Sequence, residues 1–307
     1  MKWLKKGFIC SHETLNLLWA GKNIMTPLPM LLPDGNIRLY LTICDKDNVG
    51  RVGYVDLDAG NPLKILKVSQ TPVLDVGARG TFDEHGVLPT SLLAEEDGLY
   101  LYYSAYQKQV SVPYTILSGL AVSHNGGETF TRVSDAPILD RRNGELFQRS
   151  AIEIMKKDGR YLMWYTSNLG WINNGIHEAP EYDLKFLQSD RRDVWTGTPV
   201  QSIALKGDEY GLTMPQVFFE NGIFKMFYSI RSISKGYRLG YAESIDGIVF
   251  ERKDEEMGID VSETGFDSEM ICFGKILKTP TRTYLFYCGN HYGIGGLGYA
   301  ELEETHG

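Results

Sequence analysis

The chain has 307 residues, 43% hydrophobic and 23% charged, with 33 Gly and 12 Pro, which is a globular composition with enough apolar material for a sizeable core. Its formal net charge of −8 and the lack of any run of five or six Lys/Arg argue against nucleic acid or an anionic membrane as partner. No stretch approaches 18 apolar residues, so no spanning helix is expected.

The first apolar segment is broken by Ser11, His12, Glu13 and Asn16, so it lacks a signal-peptide core. A strand near Lys6–Cys10 is expected within it. The four cysteines, Cys10, Cys44, Cys272 and Cys288, show no C-x-x-C spacing and lie in or beside apolar runs, as free buried thiols do. Cytoplasm is the expected compartment.

Next come "PLPMLL" (27–32), a turn at Asp34-Gly35, "IRLYLT" and "VGYVDLD" (52–58). The same order returns as "GVLPTSLL" (86–93), Asp97-Gly98, "LYLYYS" and "GLAVSHNGGETFTR" (119–132). A third unit has "RSAIEIM" (149–155), Asp158-Gly159, "RYLMWYTS" and "KFLQSDRRDVW" (185–195). A fourth has "TMPQVFF" (213–219), Asn221-Gly222, "IFKMFYS" and "LGYAESIDGIVFER" (239–252). The fifth has "SEMICFGKIL" (268–277), a looser turn at Pro280-Thr281-Arg282, "TYLFYCG" and "LGYAELE" (297–303).

The Asp-Gly and Asn-Gly turns recur at intervals of 63, 61 and 63, and type I′ hairpins favour these pairs because both central residues need positive φ. Leu41, Tyr103, Tyr165, Tyr228 and Tyr287 fall in register at intervals of 62, 62, 63 and 59. Each unit reads strand, hairpin, aromatic strand, loop, strand, turn, strand, which is the blade of a β-propeller. The expected fold is all-β: a five-bladed propeller with four-stranded blades, one domain over 1–307. The fifth unit lacks an outer strand, and the N-terminal strand is expected to supply it and close the ring. Strands of a β-sandwich also recur every 8–12 residues, but not in units of this length. Long insertions are expected at 104–118 and 168–183.

The innermost strand of each blade lines a central channel. With those strands anchored on Pro29, Pro89, Ser150, Pro215 and Gly274, Glu84, Glu145 and Glu269 stand five residues before three of the anchors. Asp83 and Asp267 lie beside two of these glutamates, while His85 and Arg149 lie between glutamate and anchor. Glycoside hydrolysis uses one protonated and one ionised carboxyl about 5–9.5 Å apart, and crowded acids separate their own pKa values. The candidate catalytic acids are therefore Glu84, with Asp83 as modulator, and Asp267 or Glu269 opposite. For each acid alone, the alternative is a turn cap facing solvent.

Arg149 and Arg231 are candidates to hold a carboxylate ionised, and with His85, Glu145, Asn290, His291 and Tyr292 they are candidates to bind substrate hydroxyl or anionic groups. Trp171, in "NLGWINNG", is a candidate to stack on a sugar ring or to pack on its own blade. The run "YCGNHYGIGGLGYA" (287–300) joins strand to strand, so its G-x-G-x-x-G-like glycines are not a dinucleotide fingerprint. They are expected to bring Asn290, His291 and Tyr292 to the channel mouth. Zinc-ligand spacing, G-x-S-x-G and the P-loop are all missing from the sequence.

The stretches "FDEHGVLPTSLL", "SGLAVSHNGGETFTR", "YRLGYAESIDGIVFER", "FDSEMICFGKIL" and "YLFYCGNHYGIGGLGYA" resemble a group of bacterial five-bladed propeller proteins. That group is related to glycoside hydrolase families 43 and 32 and associated with surface-polysaccharide biosynthesis. The resemblance runs through nearly the whole chain. With the acids at the channel mouth, the leading expectation is a glycosyl-cleaving or glycosyl-transferring enzyme that uses carboxylate acid/base chemistry in the channel and takes a carbohydrate or activated-sugar substrate. No cofactor is expected; some related propellers hold a calcium ion, but this chain has no D-x-D-x-D loop dedicated to one.

True family 43 and 32 enzymes carry an Asp, usually before Pro, on the first inner strand; here Thr26 precedes Pro27. Their acid motif in the third blade is replaced by "LFQRSAIE", with Gln148 and Arg149. Two further readings therefore stand beside the first: a non-catalytic glycan-binding or assembly propeller, and an enzyme acting on a phosphorylated or nucleotide-activated sugar. The oligomeric state is not specified by the sequence.

Overall fold

The structure is a computed structural model that describes residues 1–303; residues 304–307 of the expected domain lie outside the described residues. The chain opens with β1 (Trp3–Cys10) and a short helix α1 (His12–Leu15). β2 (Ile24–Leu31), β3 (Ile37–Cys44), β4 (Gly50–Asp58) and β5 (Asn61–Val68) form one antiparallel sheet in that order. β6 (Val87–Glu95), β7 (Gly98–Lys108), β8 (Tyr114–Ser123) and β9 (Thr131–Arg132) form a second.

An eight-stranded sheet follows. It holds β10 (Arg149–Lys157), β11 (Arg160–Asn173), β12 (Glu178–Ser189), β13 (Val200–Ile203), β14 (Glu209–Glu220), β15 (Ile223–Ser232), β16 (Gly236–Ser244) and β17 (Glu251–Arg252). Its two halves meet in parallel at Tyr182↔Gly211, between β12 and β14. The last sheet has the order β1-β20-β19-β18, from β18 (Cys272–Lys278), β19 (Thr283–Cys288) and β20 (Leu297–Leu302), with a short turn α2 (Asn290–Gly293) before β20. The N-terminal strand thus pairs with the C-terminal one. All four cysteines are free and buried.

Turn chemistry explains the hairpins. Asp158-Gly159 (φ 52 and 78) and Asn221-Gly222 (φ 53 and 80) form the positive-φ pairs expected of type I′ turns. The second hairpin closes one residue early: Glu95 pairs with Gly98, so Glu96 and Asp97 form its loop. The first is longer, and the Asp34 carboxylate caps it by accepting from the Asn36 N–H at 2.9 Å. The insertions at 104–118 and 168–183 are largely strand extensions, with pairing continued to Lys108↔Tyr114 and Asn173↔Glu178.

The repeated tyrosine has the same partners in four places. The Tyr103 hydroxyl donates to Asp83 at 3.1 Å, and Arg132 binds the same carboxylate at 2.6 Å. Tyr165 donates to Glu145 at 2.9 Å, beside Arg149 at 3.1 Å and Lys185 at 3.2 Å. Tyr228 donates to Asp254 at 2.6 Å, beside Arg252 at 2.8 Å. Tyr287 donates to Asp267 at 2.9 Å, beside Lys5 at 2.7 Å. A buried carboxylate needs both a counter-charge and hydrogen bonds, and each clasp supplies both.

Register ties these clasps to the sequence repeat. Tyr103, Tyr228 and Tyr287 lie opposite Gly119, Gly240 and Gly298. A Cβ on Gly119 would sit 2.2 Å from Tyr103 Cζ, so the ring needs that glycine. Two residues on, Ala121, Ala242 and Ala300 face Arg132, Arg252 and Lys5. Lys5 fills the slot of the two arginines although it comes from the other end of the chain.

The residue after the tyrosine joins neighbouring strands. Ser104 Oγ accepts from the Ala151 N–H at 2.9 Å, and Ser229 Oγ accepts from the Phe273 N–H at 2.8 Å. Ala151 (φ 50) and Phe273 (φ 55), like Thr26 and Met214 (both φ 52), sit at a register shift of an inner strand. Such bulges bend a strand and re-aim its side chains.

Candidate functional site

The bulged inner strands and the ends of the second strands converge on a cavity of 650 Å³ to which every sheet contributes. Met25, Thr42 and Cys44 come from the first sheet, and His85, Ser104 and Tyr106 from the second unit. Gln148, Ser150, Tyr182, Thr213, Arg231 and Tyr237 come from the eight-stranded sheet and the segment before it; Phe273, His291 and Tyr292 come from the last unit. Two other hollows, of 640 and 730 Å³, are more open and lie to the side, lined by residues such as Lys206 and Asp260, or Arg141 and Trp195. The central cavity is the one the repeat builds.

Its chemistry is aromatic, hydroxylic and basic. Lys22, Lys108, Arg231, His85 and His291 line it, and among the described residues no Asp or Glu does. Arg231 is 9% exposed and donates to the Tyr292 hydroxyl at 2.9 Å. Its guanidinium lies 4.6 Å from the Tyr210 ring centre and 5.6 Å from that of Tyr237. The Tyr182 and Tyr237 hydroxyls share a hydrogen bond of 2.7 Å. Burial pushes the Tyr114 hydroxyl up to about 12 and those of Tyr106 and Tyr237 well above the usual tyrosine value. These groups keep their protons at neutral pH and can both donate and accept hydrogen bonds.

Tyr292 is held by a strained turn. His291 (φ 52, ψ 46) and Tyr292 (φ 57, ψ 41) are consecutive left-handed residues, each at a cost of roughly 1–2 kcal/mol. Asn290 anchors them: its Oδ1 accepts from the N–H groups of Glu269 and Met270 at 2.8 and 3.2 Å, and its Nδ2 donates to Gly265 O at 3.2 Å. Asn23 Nδ2 donates to Tyr292 O at 3.1 Å. Gly293 (φ 81) packs so closely that a Cβ there would lie 1.8 Å from Ile24 O.

Of the expected binding residues, His85, Arg231, His291 and Tyr292 line the cavity. Asn290 instead anchors the turn. Glu145 and Arg149 are buried against each other in the Tyr165 clasp, and Arg149 also donates to Asp140 O at 2.5 Å. Trp171 packs edge-on against Tyr114 and Phe147 at 6.0 and 5.9 Å, behind the cavity wall.

The four expected catalytic acids do not meet in the cavity. Asp83, fully buried, serves the Tyr103 clasp and also accepts from Thr81 Oγ1 at 2.8 Å; Asp267, 2% exposed, serves the Tyr287 clasp. The Gly80 N–H at 2.8 Å and Gln107 hold the Glu84 carboxyl below the usual range, the opposite of what a general acid needs. Glu269 is largely exposed and pairs with His291 at 3.3 Å. At the Thr26 position, the hydroxyl is bonded to Thr42 Oγ1 at 2.5 Å. Among the described residues, no group of three or more His, Cys, Asp or Glu side chains is arranged to hold a metal ion.

Sequence reasoning missed Tyr106, Tyr182 and Tyr237. A signal for the first was available: the third residue after three of the five repeat positions gives Cys44, Tyr106 and Arg231, all on the cavity face.

These sheets and this cavity define a glycoside hydrolase-like β-propeller fold. A solved structure described as a glycoside hydrolase superposes with a TM-score of 0.77 at 15% identity, covering 98% of this chain and 92% of that one. A thermostable family-43 glycoside hydrolase gives 0.70 at 17%, covering 95% and 93%. An endo-arabinase from Bacteroides thetaiotaomicron gives 0.66 at 13%, covering 98% and 99%. At such identities the likeness is one of fold. No model of a known protein family matches the chain.

Two relatives from Mycobacterium tuberculosis are closer in sequence: the uncharacterized protein Rv1502 of strain ATCC 25618 / H37Rv and the uncharacterized protein MT1551 of strain CDC 1551 / Oshkosh. Each is 31% identical over 305 residues, covering 99% of this chain and all of the relative. The chain belongs to the family of Rv1502.

Proposed function

We propose that the protein is a five-bladed propeller whose central cavity binds a carbohydrate, and that it does so without a catalytic carboxylate pair. In this reading, the eight-stranded sheet divides at Tyr182↔Gly211 into two blades, and β1 completes the last blade and closes a single domain over 1–307. The shared register of Lys5, Arg132 and Arg252 supports that closure. The setting in surface-polysaccharide metabolism and in the cytoplasm rests on the sequence reading.

One observation carries the function: the cavity is lined by aromatic rings, hydroxyls and amides from every sheet, but among the described residues by no carboxylate. Tyrosines present a flat apolar face with a polar tip, which suits a sugar ring. A glycosidase of either stereochemistry needs two carboxyls flanking the scissile bond. Asp83 and Asp267 are committed to buried ion pairs, and Glu84 is held ionised. The acid/base reaction expected from the sequence is therefore not part of the proposal.

The test combines calorimetric titration against a panel of neutral and charged sugars with a glycoside turnover screen. Binding that is lost in Tyr182→Ala, with no turnover, is the expected result. Turnover by the wild type that disappears in folded Glu84→Gln or Asp267→Asn would overturn the proposal.

A further inference from the structure

We infer that the ligand carries an anionic group, a phosphate or a carboxylate, and that Arg231 seats it. This rests on the reading of the central cavity as a carbohydrate site and names the class of carbohydrate.

The first support is the pairing of buried cations. Arg38, 3% exposed, binds Asp56 at 2.7 Å and Glu128 at 2.6 Å. Arg149 binds Glu145 at 3.1 Å, and Arg252 binds Glu209 at 2.6 Å and Asp254 at 2.8 Å. Lys275, 2% exposed, binds Glu153 at 3.2 Å. Among the described residues, Arg231 is the one buried cation with no carboxylate within 4.0 Å. Leaving a buried guanidinium without a counter-charge costs several kcal/mol, so a fold that pairs every other one leaves this one open for a reason outside the chain.

The second support is the direction of the open side. Arg231 lines the cavity, and of the five N–H donors of a guanidinium one is given to Tyr292. The Tyr210, Tyr237 and Tyr292 rings hold the charge in place by cation–π contact without neutralising it. A planar donor fork fixed by rings and facing a cavity matches a carboxylate or a phosphate edge.

The third is local charge. The chain carries 39 acidic against 31 basic residues, yet the cavity lining reverses that balance, with Lys22 and Lys108 adding to Arg231. Such a cavity in an acidic protein attracts an anion against the overall field. The strained His291-Tyr292 pair then has a role, because it fixes the hydroxyl that orients Arg231.

The experiment is titration calorimetry at 150 mM salt with glucose, glucose 1-phosphate, glucuronate and inorganic phosphate, on wild type, Arg231→Gln, Arg231→Lys and Tyr292→Phe. A charged hydrogen-bonded contact is worth about 10–100-fold in affinity. Wild type is expected to favour glucose 1-phosphate or glucuronate over glucose by that factor, and which of the two is tighter identifies phosphate or carboxylate as the natural group. Arg231→Gln is expected to abolish the preference, Arg231→Lys to restore part of it, and Tyr292→Phe to weaken it. If glucose binds as tightly as both anionic sugars, or Arg231→Gln keeps the preference, the inference is wrong while the carbohydrate reading survives. If inorganic phosphate binds as tightly as glucose 1-phosphate and glucose not at all, the anion seat stands and the carbohydrate reading falls. Should Arg231→Gln fail to fold, Tyr292→Phe decides by the same criterion.

Discussion

Replacing Lys5 with methionine removes one cation and leaves Asp267 where it is. The Lys5 ammonium sits 2.7 Å from Asp267 Oδ2, and the carboxylate is 2% exposed. Without Lys5, the charge keeps the Tyr287 hydroxyl and loses its counter-ion. Breaking a buried pair from one side costs about 3–5 kcal/mol, and because the Lys5 side chain is 25% exposed the lower end applies, about 3 kcal/mol. A domain of this size loses roughly 2 °C of Tm per kcal/mol, so the expected fall is about 6 °C.

The neighbouring Lys6 provides the control. Its ammonium lies 3.3 Å from Glu301 with 38% of the side chain exposed, and such a surface pair is worth about 0–1 kcal/mol. Urea denaturation of Lys5→Met, Lys6→Met, Asp267→Asn and the double variant Lys5→Met/Asp267→Asn measures all the terms. The double variant should recover much of the loss, because it leaves no uncompensated charge. If Lys5→Met costs no more than Lys6→Met, or the double variant recovers nothing, β1 is merely an added edge strand and the clasp does not hold the chain ends together.

Asp183 has no exposure, and burial pushes its carboxyl up to about 6, with Gln201 and Lys185 pulling the other way. Its folded pKa lies above its unfolded one, so stability should fall as pH rises from about 4 to 6, by up to about 3 kcal/mol. Asp183→Asn should flatten that slope and gain on wild type at pH 7.5 but not near pH 4, as urea midpoints would report; an unchanged slope refutes the assignment. Gly119→Ala drives a Cβ to 2.2 Å from Tyr103 Cζ and should cost about 1–3 kcal/mol by thermal melting, whereas Gly170→Ala, with nothing within 4 Å, should be near neutral. Ser104→Ala leaves the buried Ala151 N–H without its acceptor and should cost about 1–3 kcal/mol; a smaller loss means another acceptor replaces it.

The sequence repeat was legible because one period fixes both the turn residues and the aromatic position. Asp158-Gly159 and Asn221-Gly222 became the expected turns, and the tyrosines in register became the clasps. The offset of the acids was also in the sequence, but it counts from the repeated tyrosine and not from the inner-strand anchors. Glu84, Glu145 and Glu269 share a distance from the anchors, whereas Asp83, Glu145 and Asp267 each stand 20 residues before the tyrosine that binds them. The cations that decide an acid's role come from far along the chain: Arg132 is 49 residues from Asp83, and Lys5 is 262 from Asp267. For the cavity, His85, Arg231, His291 and Tyr292 were reachable from their places near strand ends. Tyr182 and Tyr237 were not, because their position depends on how far the strands extend beyond the repeat.

Pairing, rather than the number of acids, separates structure from chemistry in this fold. An acid beside an inner strand suggests catalysis only until its partners are known, and here a tyrosine and a cation close on Asp83, Glu145 and Asp267 in the same way. A group used so regularly by the repeat is serving each sheet rather than one site. The same reasoning runs in reverse for the cations. Arg132, Arg149, Arg252 and Lys5 each answer a carboxylate of the scaffold, and among the described residues Arg231 answers none. The unmatched charge lies on the wall where all the sheets meet, so the functional question in this molecule turns on which anion completes it.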